Sequence, residues 1–547
     1  SPYLYLPISA HYKRMDSWGD QRTIAGFMHH FLRREYGTFQ LAGDGTTEDP
    51  GMIPRLQFYF QTLWQESTYL PVLLAPLGLL AGLLSRSGPV SRSHQVFLAN
   101  YVLYTGVFHK LANLALEPLF LGVQMRFWMQ SNLHVYIWAG AGLHTTATFL
   151  FTSLDLRNQE QEQEEEQKKE EEVPTKGRKE PNKEPKKQGR SRKAVFLSSC
   201  IVVLVAVGYS SLQCWRHFFK QNHRGNEAFF KHGAAILRSF PPNALVLLNG
   251  DLNNNAVKYP QQCEGVRPDL RLVSLQLMSW DWFVEMQAAN YPGVKFPGSS
   301  YHPRKQGSFS IRKFLNKNYK RFPIFLCGPW KEGDLTYQGR YTTRPFGHCA
   351  QVVQLKDEVP KNWTKVLAAG NSNLIPSSQL GGWDADKYGP ETWEKVLYVD
   401  SWARRRYLAS VTAFHSNQQL NDPQLLTQAH KIVSTLLVEE EFRWLSHFNM
   451  LAADDFRSFG IIFGQFAGHL AKQKPATKAV KVQVVEAEAG LMFCWTHFKL
   501  LTPEDKEIGR LVEAKVNPYT GKAVSRKALK RAQVMLLKMS GKSVKLQ

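Results

Sequence analysis

The stretch RMDSWGDQRT, Arg14 to Thr23, sets a tryptophan and an aspartate on one polar turn near the start of the chain. Two chemistries suit it. Asp20 precedes QRTIAGFMHHFLRREYG, which places Ile24, Phe27, Phe31 and Leu32 at helical spacing and closes on Gly37. Asp20 therefore reads as a helix N-cap, with Gly19 allowing the turn. A carboxylate beside an aromatic ring also suits work on a sugar. The face of Trp18 can pack on sugar C–H surfaces, and Asp20 can accept a hydroxyl or act as a base. On spacing alone the cap is the stronger reading.

Other residues carry similar double readings. In EPLFLGVQMRFWMQSN, within the expected loop 115–132, Arg126 is flanked by Phe127, Trp128 and Met129. Such an arginine can hold a lipid-linked phosphate, or it can snorkel from an interfacial aromatic belt. His109 and Lys110 are ionisable groups within or at the end of an apolar run, where charge is costly. Asn249-Gly250-Asp251 follows the apolar run ALVLL, the place where open α/β sheets bind ligands and also where such a tripeptide simply turns the chain. There is no phosphate-binding Walker loop, nucleophile elbow, His-Glu-x-x-His or paired Cys-x-x-Cys. No metal site and no cofactor are therefore expected.

The elements that must position these residues begin with apolar segments. Four read as membrane spans, each near the roughly 20 residues that a bilayer core requires: about 69–85, 95–114, 133–152 and 194–215. Arg86 and Arg92 between the first two, and the Lys/Arg-rich half of 153–193, put both connections on the cytoplasmic side. Residues 1–67, the loop 115–132 and everything after 216 then share the opposite, lumenal side. The sequon at Asn362, the chain's only Asn-x-Ser/Thr site, agrees. The segment 153–193 is a charge run with almost no large apolar residues, expected to be a disordered cytoplasmic linker.

After the fourth span the order changes to helix, strand, helix, strand, the mark of a parallel α/β unit, assigned to residues 216–420. Residues 421–475 read as helical, with hairpin repeats as one reading, although no clean 34-residue period runs through them. Residues 476–547 form a basic tail containing a basic amphipathic stretch. Cys327 and Cys349 are one candidate pair in a compartment that allows disulfides. The chain has 547 residues and a formal net charge of +22, yet no nucleic-acid motif accompanies the charge, so nucleic acid is not an expected partner.

The ordered set PYLYLPISA, SWGDQRTIAGFMHHFLRREYG, GVQMRFWMQSN, PPNALVLLNGD and EGVRPDLRLVSLQLM resembles the multispanning O-mannosyltransferases of the endoplasmic reticulum that modify plexin-type (IPT) domains of plexins and receptor tyrosine kinases. The resemblance covers about residues 1–410. It implies a GT-C-like membrane domain, of which 1–152 would be the C-terminal part, followed by a lumenal α/β domain and a helical region. It implies a dolichyl-phosphate mannose donor, Ser or Thr acceptors in folded IPT domains, and contact with membrane lipid. Candidate donor- or substrate-binding residues are Trp18, Arg22, Arg126, Trp128, Gln130, Asn249 and Asp251, with Asp20 as a candidate catalytic carboxylate. In such enzymes the main carboxylate sits in the first lumenal loop, expected to precede Ser1. The alternative is a catalytically incomplete or non-enzymatic membrane protein whose lumenal domain binds protein partners.

Overall fold

The computed structural model describes residues 2–32, 34, 50–112, 114–171, 192–357, 363–375, 377–381, 384, 387–389, 392–418, 423–438, 453–473 and 477–540. Asn362 lies outside the described residues, as do Gly37 and the 172–191 part of the charged linker. The chain forms two compact units. One comprises residues 1–30 with 224–547, and the other residues 31–223.

Elements run in chain order as follows. Helices α1 (Leu6–His11) and α2 (Ile24–Phe31) open the chain. The second unit holds α3 (Met52–Glu66), α4 (Leu70–Leu83), α5 (Gly88–Leu111), α6 (Pro118–Glu171) and α7 (Arg192–Gln221). The first unit resumes with α8 (Ala228–Ser239), β1 (Leu245–Leu248), α9 (Asp251–Glu264), β2 (Arg271–Ser274), α10 (Asp281–Gln287), α11 (Ile311–Asn318), β3 (Ile324–Cys327), β4 (Tyr341–Phe346) and β5 (Cys349–Gln354). Helices Trp363–Ser372, Trp393–Gln418, Pro423–Val438, Ala453–Ala471, Lys478–Leu501, Lys506–Ala514 and Arg526–Ser540 follow.

In the second unit, one helix among the described residues, Phe196–Gln221, is long and apolar enough to cross a membrane. The pair α3 and α4 passes that test together but bends by 109° between its halves. The expected span at 69–85 is thus a 14-residue helix, short of a bilayer's thickness at about 1.5 Å per residue. The expected loop 115–132 is a correction: from Pro118 it is helix, and α6 continues through 133–152 to Glu171. The linker expected to be disordered from 153 is likewise helical as far as Glu171. Its Glu, Gln and Lys are strong helix formers, and that local preference prevails over the low apolar content. Helices α4 and α6 approach closely: a Cβ on Gly78 would lie 1.9 Å from the Trp138 carbonyl oxygen, and one on Gly142 2.1 Å from that of Leu74.

The first unit contains a five-stranded sheet of order β2-β1-β3-β5-β4. Strand β1 runs parallel to β2 and β3, while β5 is antiparallel to β3 and β4. Both faces are covered, which explains why β1 and β3 are apolar throughout. Val246, Leu248, Leu272 and Phe325 face a core with Leu237 of α8, Val257 of α9 and Tyr398. Leu245, Leu247, Val273 and Leu326 face Phe283 of α10 and Phe314 of α11 on the other side. The strand–helix–strand order read from the sequence is thus present as β1-α9-β2. Cys327 and Cys349 form a disulfide joining the end of β3 to the start of β5. The segment read as a basic tail folds into helices, whose Phe493, Ala528, Ala532 and Leu536 enter a core with Phe459 and Val433.

Candidate functional site

Residues 13–22 lie as a strap on α9 and α10, far away in sequence. Tight turning shapes it: Lys13, Asp16 and Gly19 have φ of 43°, 58° and 80°, and the Ser17 amide donates to the Arg14 carbonyl at 3.1 Å. At Gly19 a Cβ would stand 2.5 Å from Gln21 Nε2, so glycine answers both conformation and space there.

The strap is held by the α/β domain's polar side chains. Gln287 is fully buried. Its Nε2 donates to the Arg14 carbonyl (3.0 Å), the Ser17 carbonyl (3.3 Å) and Ser17 Oγ (3.1 Å), and its Oε1 accepts the Asp16 amide at 3.0 Å. Asn290 Nδ2 donates to the Lys13 carbonyl at 2.9 Å. Lys258 on α9 pairs with Asp16 at 2.7 Å, with both side chains largely buried, and Gln262 also donates to Asp16. Trp18 packs on Trp282, ring centroids 6.1 Å apart.

Asp20 does not cap α2. Its Oδ1 accepts the Arg22 amide (3.2 Å) and Nε (2.7 Å), its Oδ2 accepts Arg22 Nη2 (2.6 Å), and Arg22 also pairs with Glu285 on α10. The cap is Thr23, whose Oγ1 accepts the Gly26 amide at 3.1 Å. The local Arg22 guanidinium competes for the carboxylate, and a bidentate, charge-assisted pair is the stronger partner. That pairing holds the Asp20 carboxyl below the usual range, and its two carboxylate partners raise Arg22. An ionised, twice-bonded aspartate is a poor proton acceptor, so this geometry makes Asp20 a fastening of the strap.

Gln287→Leu is expected to remove the hydrogen bonds from several strap groups at once, costing about 3 kcal/mol. Limited trypsin digestion of the variant should cut first at Lys13, Arg14 or Arg22, with the α/β domain still resistant. Unchanged resistance of those bonds would remove Gln287 as the anchor.

The carboxyl end of β1 holds Asn249 and Asp251. Asn249 Nδ2 donates to the Pro329 carbonyl at 3.0 Å, and its amide to the Cys327 carbonyl at 2.9 Å, tying the ends of β1 and β3. Gly328 makes that approach feasible, because a Cβ there would lie 2.3 Å from the Asn249 carbonyl oxygen. Asp251 is exposed at the first turn of α9. Asn249 therefore works as a turn residue, and Asp251 is available to solvent.

In the second unit, Arg126, Trp128 and Gln130 share α6 but not a role. Trp128 is buried against Tyr59 and Phe58, at centroid distances of 5.4 and 6.0 Å. Arg126 is exposed and makes no ion pair among the described residues. Gln130 Oε1 accepts the Tyr104 hydroxyl at 3.1 Å. His109 is buried under the same aromatic cluster, with Nδ1 against the Thr105 carbonyl at 2.8 Å. Arg55, a residue that sequence reasoning missed, is fully buried and donates to the His109 carbonyl (2.8 Å) and Leu114 carbonyl (3.4 Å), a cation at the C-terminal end of α5. Also missed were Gln287, Lys258 and Glu285; a lone glutamine or lysine in an amphipathic run carries no local signal of a distant partner. Among the described residues no group of three or more His, Cys, Asp or Glu is placed to hold a metal ion.

Residues 230–379, the sheet and its covering helices, match the family described as TMEM260-associated domain 2. The chain is similar to the protein O-mannosyl-transferase tmem260 of Dictyostelium discoideum, 32% identical over 403 residues, which is 73% of this chain and 45% of that protein. It is similar to the protein O-mannosyl-transferase TMEM260 of Mus musculus, 28% identical over 460 residues, 80% of this chain and 57% of that one. The chain spans about half the length of the curated relatives it matches. No solved structure matches it.

Proposed function

We propose that the protein transfers mannose from a dolichyl-phosphate donor to Ser or Thr hydroxyls of folded IPT-type domains of plexins and receptor tyrosine kinases, at the endoplasmic-reticulum membrane. The observation that carries this reading is the similarity to two proteins named as O-mannosyl-transferases, running through most of this chain. In this reaction the acceptor oxygen bonds to C1 of the mannose, the C1–O bond to the dolichyl phosphate breaks, and the hydroxyl proton passes to a base. Arg22 donates to both oxygens of Asp20, so this reading gives Asp20 the part of fastening the strap and leaves the base to another residue.

Several features support the setting. The apolar helix Phe196–Gln221 is long and apolar enough to cross a membrane, which supports the membrane setting. The strap and the α/β domain share polar contacts, so both sit on one side of any membrane the chain crosses. The Cys327–Cys349 disulfide suits an oxidising lumen. Arg126 has a guanidinium free to hold the donor phosphate.

The test is mannose transfer by the full-length protein in membranes supplied with dolichyl-phosphate mannose and an IPT-domain acceptor. Arg126→Ala should lower transfer at least 10-fold, as expected for losing a charge-assisted phosphate contact of about 1.4 kcal/mol or more. Asp20→Asn should retain most of it. Unchanged transfer by Arg126→Ala removes that residue from the donor site; absence of transfer with this donor in the unaltered protein overturns the proposal.

A further inference from the structure

The helical C-terminal region carries an open trough that the mannosyl-transfer reading does not use. Its walls are helix Pro423–Val438 and helix Arg526–Ser540, and its floor is helix Lys478–Leu501 with Phe463. Two adjoining cavities of 560 and 590 Å³ share His430, Ser434 and Glu486. The floor is small and apolar. Ala489 and Gly490 form it, and a Cβ on Gly490 would stand 2.7 Å from the Phe463 ring, so glycine lets that ring close the base. His430 stacks on Phe466 at 3.8 Å and burial pushes its pKa down to about 4, which keeps it neutral near pH 7.

Among the described residues the rim is charged, and mostly with one sign. Lys527, Lys530 and Arg531 stand on one wall and Lys431 on the other. Among the described residues, the sole acidic one lining either cavity, Glu486, is already paired with Arg531 at 3.2 Å. Neither Lys527 nor Lys530 makes an ion pair among the described residues. The wall from Thr427 to Leu437 is about three helical turns long. An apolar groove between two helices, about 15 Å long, takes the apolar stripe of a third helix. Lys527 and Lys530 on one lip and Lys431 on the other make no ion pair among the described residues, and such cations select carboxylates flanking that stripe.

We propose that this trough is a docking site for an acidic amphipathic helix of a partner protein, its apolar stripe against Ala489, Gly490 and Phe463 and its carboxylates against Lys527, Lys530 and Lys431. The interaction goes beyond glycosyl transfer and does not depend on it.

The experiment uses the full chain in phosphatidylcholine nanodiscs and a fluorescein-labelled helical peptide with leucine at i, i+3, i+4 and i+7 and glutamate on both flanks. A second peptide keeps the leucines and replaces every glutamate by lysine. Fluorescence anisotropy should show the acidic peptide binding at least 10-fold more tightly than the basic one. The preference should shrink as salt rises. Joint Lys527→Glu and Lys530→Glu substitution, at exposed positions that leave the fold intact, should weaken binding at least 10-fold, and Ser434→Trp should block the trough. Equal affinity for the two peptides, or indifference to the charge reversal, overturns the proposal. So does displacement of the peptide by oleate at stoichiometric concentration together with direct oleate binding, since the trough would then be a lipid site.

Discussion

Replacing Gly233 by alanine, a single methyl group, should destabilise the α/β domain by about 3–5 kcal/mol. Gly233 lies in the middle of α8, buried against α9. A Cβ there would stand 1.7 Å from the Ala256 carbonyl oxygen, 2.6 Å from its carbon and 3.2 Å from Pro260 Cγ. Two of these three obstacles are backbone atoms inside a helix, which cannot rotate aside as a flexible side chain can. Relief requires moving α8 away from α9, which opens the core that Leu237 and Val257 share with Val246 and Leu248. Overpacking of a close core typically costs 1–3 kcal/mol, and a backbone-to-backbone clash belongs at or beyond that upper end, about 3–5 kcal/mol. The comparison that isolates packing from helix propensity is Gly509→Ala, in helix Lys506–Ala514. There the nearest atom to a new Cβ is Lys499 Cε at 4.0 Å, so alanine should stabilise by about 0.5–1 kcal/mol. Urea unfolding followed by tryptophan fluorescence reads both. A Gly233→Ala protein as stable as the parent would mean that α8 and α9 do not approach in this way.

That contrast also marks what was legible in the sequence. ALVLL and RLVS announced buried strands because both faces of a parallel sheet are covered, and the intervening polar run with Asn249-Gly250-Asp251 announced a turn into a helix. Cys327 and Cys349 were legible as a candidate pair, although only the sheet brings their Cα atoms to 4.4 Å. Asp20 reads as a helix N-cap or as a carboxylate for a sugar hydroxyl, and its ion pair with Arg22 was not legible. The carboxylate goes instead to the guanidinium of Arg22, two residues later, which is also held by Glu285, 263 positions away from it. The length of α6 was hidden because composition describes the absence of a core, whereas helix formation in a Glu/Lys-rich stretch depends on local propensity. Gly233 did carry a signal: a glycine inside KHGAAIL weakens a helix unless a neighbour needs the space. Trp128 shows the limit of motif reading. Two positions from Arg126 on one helix, it turns inward to Tyr59 while the arginine remains exposed, since a two-residue step nearly reverses direction around a helix.

The α/β domain should also lose stability as pH falls from about 6.5 toward 4. His232 on α8 is fully buried and neither ring nitrogen has a hydrogen-bond partner, so burial pushes its pKa down from 6.5 to about 4. His348 packs against it at a centroid distance of 5.0 Å, and its Nε2 accepts the Ile375 amide at 3.0 Å. Burial, then His232, Arg405 and Arg404, push His348 well below the usual histidine range. Both rings are neutral in the folded domain and become protonated in the unfolded chain below about 6.5. The unfolded state then binds more protons, and stability must fall with pH. Above 6.5 the contribution is complete. Between 6.5 and about 4 the loss from His232 alone amounts to about 3 kcal/mol, at about 1.4 kcal/mol per pH unit. His430 and His497, each pushed down to about 4 by burial, act in the same direction within the helical region. Urea midpoints at pH 7.5 and pH 5 provide the measurement. His232→Phe keeps a ring in the core and removes a group that must stay neutral, so the gap between the two midpoints should narrow markedly, mostly through a gain at pH 5. An unaltered gap in that variant would assign the acid sensitivity of the protein to groups other than this pair.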